Sequence, residues 1–276
     1  MDDAVRVIVS PRWSVRSLRS DVGRLHDYSD LLLVLSRHRI SVRYKQSLLG
    51  GVWALLQPLA MMVVFTAVFS RLVRMPSQGV PYALFAFTGL LSWTFFSGAI
   101  SSGTGSLVGH AHLITKVYFP REILPLSYVL SALVDLALGS ALLLGLLLFY
   151  GVRPSAEVVM VLPIIAGLST FAVGGSLVLS AFQVRVRDIG IALPIVLQLW
   201  MFCSPVLYPL SAVPAAWRPF YDLNPLAGYV DAFRSSVLGL PVDRGALTTA
   251  ILVTALLLPV AYAIFKRAEA TVADIV

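Results

Sequence analysis

An all-α integral membrane protein is the fold this sequence predicts, and three observations carry that reading. Six runs of roughly 20 mainly apolar residues recur along the chain, the length a helix needs to cross the hydrocarbon core. Charged residues make up only 13% of the chain and hydrophobic ones 58%. Soluble domains carry about 25% charged and roughly 45–50% apolar residues, so lipid must solvate much of this surface. Lys and Arg, finally, divide unevenly between the segments that alternate along such a chain.

The runs are Trp53–Val73, Tyr82–Ser102, Leu124–Tyr150, Val158–Phe182, Ile189–Tyr208 and Leu247–Phe265. Lipid offers the backbone no hydrogen-bond partners, so each run is predicted as a helix that satisfies its own. The third and fourth are long, with Pro125 and Pro163 as candidate bends near a membrane surface. This leaves residues 1–50 as an extramembrane N-terminal segment and 51–276 as the transmembrane domain. No cleavable signal peptide is expected, because Arg6, Arg12, Arg16, Arg19 and Arg24 are mixed with acids without a compact apolar core.

Six crossings place both termini on one side. That side receives the basic residues before position 50, then Lys116, Arg121, Arg185, Arg187, Lys266 and Arg267. The other receives only Arg71, Arg74, Arg153, Arg218, Arg234 and Arg244. Excess Lys and Arg mark the cytoplasmic face, so a multi-pass protein of the cytoplasmic membrane with both ends inside is expected. The net charge of +7 does not point to nucleic acid, because the basic residues lie between apolar runs rather than in a stripe with interleaved aromatics.

Two segments do not fit as plain loops. Residues 35–50 carry Leu35, Ile40, Tyr44, Leu48 and Leu49 among Arg37, Arg39, Arg43 and Lys45. That pattern predicts a helix lying in the cytoplasmic interface with its charges toward anionic headgroups, the alternative being a solvated linker rich in charge. Residues 204–245 hold six prolines together with Trp217, Phe220, Tyr221, Tyr229 and Phe233. Such a stretch is either short helices dipping back into the membrane or a compact cap above it.

No GxxxxGK[ST], GxSxG or HExxH occurs, so the chain has neither a P-loop of its own nor these hydrolytic signatures. Energy must come from an ion gradient or a separate ATPase. Asp135 is the one clear acid within a run and suits polar packing better than ion coupling. His110 and His112 flank Ala111 without a carboxylate or cysteine cluster, and read as surface or headgroup-facing groups rather than metal ligands. Cys203 stands alone in an apolar run and is expected to be buried and inert. Gly98, Gly103, Gly105, Gly109, Gly167, Gly174 and Gly175 are expected to serve close helix packing.

Three blocks of residues resemble a known family. The first is Arg43-Tyr44-Lys45-Gln46-Ser47 with Leu49-Gly50, Trp53-Ala54 and Gln57-Pro58-Leu59. The second runs from Leu113-Ile114 through Lys116-Val117-Tyr118-Phe119-Pro120-Arg121-Glu122-Ile123-Leu124-Pro125. The third is Arg185-Val186-Arg187-Asp188, Ser204-Pro205-Val206, Tyr208-Pro209 and Leu223-Asn224-Pro225. Together they are similar to ABC transporter type-2 permeases, in the subgroup that exports O-antigen, capsule, teichoic acid and related polysaccharides. His110 and His112 depart from it where the family often has Asn. The resemblance implies a homodimer with two copies of a nucleotide-binding subunit, which would hold ATP and Mg, while this chain holds no cofactor and catalyses nothing itself. It implies lipid-linked glycan as cargo, with Arg39, Arg43, Tyr44 and Lys45 toward the headgroup and Leu49, Gly50 and Trp53 at a cytoplasmic gate. It also implies ATPase coupling at Lys116, Tyr118, Phe119 and Arg121, and an outer gate of short helices at Tyr208, Trp217, Phe220 and Tyr221.

Sugars present flat C–H faces and many hydroxyls, so a path for them should mix aromatic rings with polar groups. The candidates for such a lining are Gln57, Phe65, Phe69, Trp93, Gln198 and Trp200, beside Trp53. Each ring has an alternative as a lipid-facing or interfacial aromatic. A drug or lipid efflux permease of the same superfamily, an ion-coupled flippase for lipid-linked glycan, and a membrane transferase are the competing readings. The transferase lacks paired acids or a His–Asp arrangement at a membrane face.

Overall fold

The computed structural model describes residues 27–45 and 52–275. The expected gate residues Leu49 and Gly50 lie outside the described residues, and for Arg43, Tyr44 and Lys45 only the helical backbone is described. Every regular element among the described residues is helical. In chain order these are α1 (Ser29–Lys45) and α2 (Val52–Phe65), which runs on into a π-helical stretch, Thr66–Leu72. There follow α3 (Tyr82–Thr104), the short α4 (Ser106–Gly109) and α5 (Ala111–Lys116), and α6 (Ile123–Tyr150). A 3-10 turn, Ala156–Met160, leads into α7 (Val161–Arg185). Last come α8 (Asp188–Phe202), a 3-10 turn, Leu210–Ala212, then α9 (Arg218–Leu223), α10 (Pro225–Leu238) and α11 (Arg244–Ile275).

Four of these, α3, α6, α7 with its 3-10 lead-in, and α11, are long and apolar enough to cross a membrane. The expected first and fifth spans correspond to shorter apolar helices, Leu55–Ser70 and Asp188–Phe202. At 1.5 Å per residue α8 measures about 22 Å, short of the roughly 30 Å core. Its expected end at Tyr208 is cut back to Phe202, because Pro205 and Pro209 cannot continue the helix and the chain turns instead. Pro125 and Pro163 prove to lie in the first turns of α6 and α7, where proline is tolerated, so they mark helix starts rather than bends.

The bundle is built around α3. Its apolar window is 83% buried, against 17–28% for the other three long helices, so α3 is the axis and the others present their outer faces. It packs against α2, α6, α7, α8 and α10, while α11 runs along α7. At one end, Leu107, Ile114, Phe119, Ile123, Leu124 and Phe265 form a second apolar cluster, and Leu31, Leu32 and Leu35 of α1 seat on it. This is the α1 end of the bundle.

The opposite end holds α9 and α10. Asn224 caps α10 by accepting from the Leu226 N–H (3.2 Å), Pro225 starts the helix, and Gly239 closes it at φ 70°. All fourteen residues of α10 are buried. Its Tyr229 hydroxyl donates to Thr254 Oγ1 (3.0 Å), ten residues and about 15 Å along α11. Tyr229 fits there because position 167 of α7 is glycine: a Cβ would sit 2.6 Å from its ring.

Candidate functional site

Of the residues expected to meet a headgroup, Arg39 lies where α1 crosses the start of α6. Arg39 lies flat on the Tyr128 ring, 3.2 Å from its centroid, and its Nε donates to Ser127 Oγ (3.0 Å). A partly desolvated cation over an aromatic face contributes about 2 kcal/mol. Ser36 Oγ adds a 2.7 Å bond to Leu32 O and a longer one to Ser127 O (3.3 Å). His110 Nδ1 lies 2.9 Å from Ser106 O, which places its proton there and leaves Nε2 to accept from Arg39 Nη2 (3.5 Å). Burial lowers the pKa of Arg39 to about 10, so it stays charged. Burial also lowers that of His110. The bond to Ser106 opposes that shift, while the charges of Arg39 and His38 add to it.

Beside this cluster lies a cavity of about 310 Å³, lined by His38, Arg39, His110, Tyr128, Ser131 and Asp135 among others. A larger one of about 470 Å³ opens between α2, α3 and α6. Its walls include Trp53, Gln57, Thr94, Ser97, Tyr128 and Asp135. Tyr128 and Asp135 line both, so the two cavities adjoin along α6, one with cationic and imidazole groups and the other with rings, hydroxyls and an amide. Asp135 thus faces both cavities from α6. Neither Tyr128 nor Thr94 and Ser97 stood out in the sequence, where nothing marks one ring or hydroxyl in an apolar run as cavity-facing.

The other expected lining residues are elsewhere. Trp93 is 7% exposed and packs on Phe96 in the core, so little of its ring can line anything. Trp200 is half-buried, edge-on to Phe96 (5.3 Å), and its Nε1 donates to Asn224 Oδ1 (3.2 Å), which ties α8 to the cap of α10. Phe65 and Phe69 pair at 5.9 Å and pack toward Tyr82 near the start of α3, away from both cavities. Gln198 is exposed on α8. Cys203, expected to be buried, is exposed, because the helix stops one residue before it at a turn that buries residues 204–207 instead.

The expected coupling residues form one loop at the α1 end. Lys116 is exposed and Tyr118 is 81% exposed, whereas Phe119 is 4% exposed and anchors the loop in the second cluster. Arg121 donates from its guanidinium to the Glu269 carbonyl oxygen of α11. His112 is exposed beside this loop, and among the described residues no three His, Cys, Asp or Glu gather as a metal site.

At the α10 end, Tyr208 and Tyr221 share a 2.7 Å hydroxyl contact, and Tyr208 donates to Phe202 O (2.7 Å). Trp217 and Phe220 are exposed with rings 5.8 Å apart. Arg218 of α9 pairs with Asp243 (2.7 Å). Arg234, counted from the sequence as a loop cation, is fully buried over the Phe85 ring (3.9 Å). It donates to Phe85 O (3.3 Å), Pro205 O (2.9 Å) and Val206 O (2.6 Å).

A helical bundle with four helices long and apolar enough to cross a membrane is that of a multi-pass membrane protein. The chain belongs to the ABC-2 type transporter family, whose model matches residues 30–238. It is 33% identical over 217 residues to the O-antigen export system permease protein RfbA of Myxococcus xanthus, covering 78% of this chain and 82% of that one. A protein of the same name from Klebsiella pneumoniae is 28% identical over 247 residues, 89% of this chain and 95% of the relative. The polysialic acid transport protein KpsM of Escherichia coli is 21% identical over 214 residues, 75% of this chain and 80% of its own length.

Proposed function

We propose that this chain is the transmembrane subunit of an ATP-driven exporter that moves a lipid-linked polysaccharide across the bacterial cytoplasmic membrane. The observation that carries this reading is the pair of adjoining cavities, one lined by Arg39 and His110 and the other by Trp53 and Gln57, in a family whose relatives are named for O-antigen export and polysialic acid transport. The first suits a phosphate-bearing lipid headgroup, with Arg43 and Lys45 adding charge along α1. The second suits sugar, whose C–H faces stack on Trp53 and Tyr128 while hydroxyls meet Gln57, Thr94 and Ser97.

Six crossings complete this reading: the four long helices, α2 with its π-helical extension, and α8, whose short span the segment 203–209 extends. Residues 1–50 and both termini lie in the cytoplasm, in keeping with the bias of Lys and Arg. Residues 51–276 form the transmembrane domain. The buried α10, reaching about 15 Å along α11, re-enters the membrane from outside, and α9 with Tyr208, Trp217, Phe220 and Tyr221 forms an outer gate. Two copies of the chain pair with two nucleotide-binding subunits that hold ATP and Mg, docked through Lys116, Tyr118 and the loop that Phe119 anchors.

The test is export in cells carrying cavity variants. Trp53→Ala with Gln57→Ala, and separately Arg43→Glu with Lys45→Glu, should each abolish surface glycan while dimer and ATPase assembly persist. Undiminished surface glycan in both would remove this reading of the cavities.

A further inference from the structure

The loop that ends at Arg121 is joined to one face of α11 by a dense polar network. Glu122, 1% exposed, holds its carboxylate 2.9 Å from Lys266 Nζ. Lys266 Nζ also lies 2.9 Å from Glu269 Oε2. The Tyr262 hydroxyl donates to Glu122 Oε1 (3.4 Å), and the Arg121 backbone N–H donates to Glu269 Oε1 (3.3 Å). The Arg121 guanidinium donates to the Glu269 carbonyl oxygen. Tyr262, Lys266 and Glu269 are spaced i, i+4, i+7, so they share one helix face. Phe265 and Phe119 meet in the apolar cluster beside them.

The other end of α11 is joined as firmly to the outer segment. Asp243, just before its first residue, takes Arg218 of α9 (2.7 Å). Thr254 and the Ala250 carbonyl take the Tyr229 hydroxyl of α10 (3.0 and 3.4 Å). Arg234 of the same α10 grips Pro205 and Val206. Lys266 and Asp243 are separated by about 35 Å of helix. Pro259 removes one backbone bond between them, yet the helix runs on through it without a break.

We infer that Glu122 and Lys266 are positioning residues that make α11 move as one body with the Lys116–Arg121 loop, and so carry that loop's displacement to the outer segment. This rests on the reading that the loop docks the nucleotide-binding subunit. A displacement of the loop then reaches α9 and α10 through a single helix rather than through the cavity walls. A buried carboxylate paired with one ammonium resists separation, because parting them strands a charge without water. The pair holds geometry that apolar packing at Phe119 alone would let slide.

The experiment uses the chain assembled with its nucleotide-binding subunits in nanodiscs. With Cys203→Ser as background, spin labels at His112→Cys and Arg267→Cys report the distance between the loop region and the α11 end. That distance should stay the same with and without bound ATP, and a change on ATP binding overturns the inference. Glu122→Gln and Lys266→Met should keep basal ATP hydrolysis and subunit co-purification while glycan export falls about tenfold, within the span of measured couplings. Lys266→Arg, which keeps a cation beside both Glu122 and Glu269, should retain most of the parental export. Parental export in both Glu122→Gln and Lys266→Met overturns the inference. If these two variants fail to assemble, the label distance in the otherwise unaltered protein decides it. The docking reading fails separately, if Lys116→Glu with Tyr118→Ala leaves co-purification intact.

Discussion

Substituting Gly89 by alanine tests how the outer segment is held to the central helix. A Cβ at that position would lie 3.0 Å from the Val206 carbonyl carbon, and nearer still to its oxygen and to Arg234 Nη2. Carbonyl and guanidinium must both retreat, which breaks the Arg234 bonds to Pro205 O (2.9 Å) and Val206 O (2.6 Å). Hydrogen bonds from a charged donor contribute about 1.5–3 kcal/mol each, so the loss is about 3–6 kcal/mol. For a chain of this length 1 kcal/mol corresponds to roughly 2–4 °C, so Tm should fall by about 6–24 °C. Gly145→Ala on α6 is the control, because a Cβ there meets nothing within 4 Å. It should leave Tm unchanged or raise it slightly through helix propensity. Thermal unfolding in detergent, read by intrinsic fluorescence, compares the two. A Gly89→Ala protein that melts with its parent would refute the claim that Arg234 clamps the 205–206 turn onto α3.

Three further outcomes are expected. Phe119→Ala should cost about 3–5 kcal/mol of stability, as for other buried rings, whereas Tyr118→Ala should leave Tm unchanged and weaken co-purification of the nucleotide-binding subunit. His110 has a folded-state pKa below its unfolded value, so its contribution is present above about pH 6.5 and is lost as pH falls below that. Thermal scans between pH 7.5 and 5.5 should therefore show a loss on acidification that His110→Gln abolishes. Arg39→Met should release α1 from Tyr128, seen as faster amide exchange over residues 29–40 with α6 unaffected.

The apolar runs made the four long helices legible, since a 20-residue run leaves few alternatives to a crossing. Ends were less legible: α8 stops at Phe202 because of prolines three and seven residues on, and the run of hydropathy passes straight through them. α10 was legible only as one of several short helices within residues 204–245, because Asp231 and Arg234 interrupt its apolar sequence. Both are buried, and Arg234 bonds carbonyl oxygens that only the fold brings near. Trp53 and Trp93 look alike as aromatics in helical runs. The first is 53% exposed beside the larger cavity and the second is covered by the helices around α3, a difference of tertiary neighbours that periodicity does not encode. In the same way Arg39 was legible as a basic residue of an interface helix, but its seat on Tyr128, 89 residues away, was not.

The reconstituted transport reaction tests the central claim most directly. Proteoliposomes holding this chain and its nucleotide-binding subunit would be loaded from outside with a lipid-linked glycan, and with ATP and Mg on the same side. Transfer is read as the glycan's loss of accessibility to an external glycosidase. ATP-dependent protection that Trp53→Ala with Gln57→Ala abolishes is the result expected. Protection that is the same without ATP, or none at all while the assembled complex hydrolyses ATP, would contradict the account.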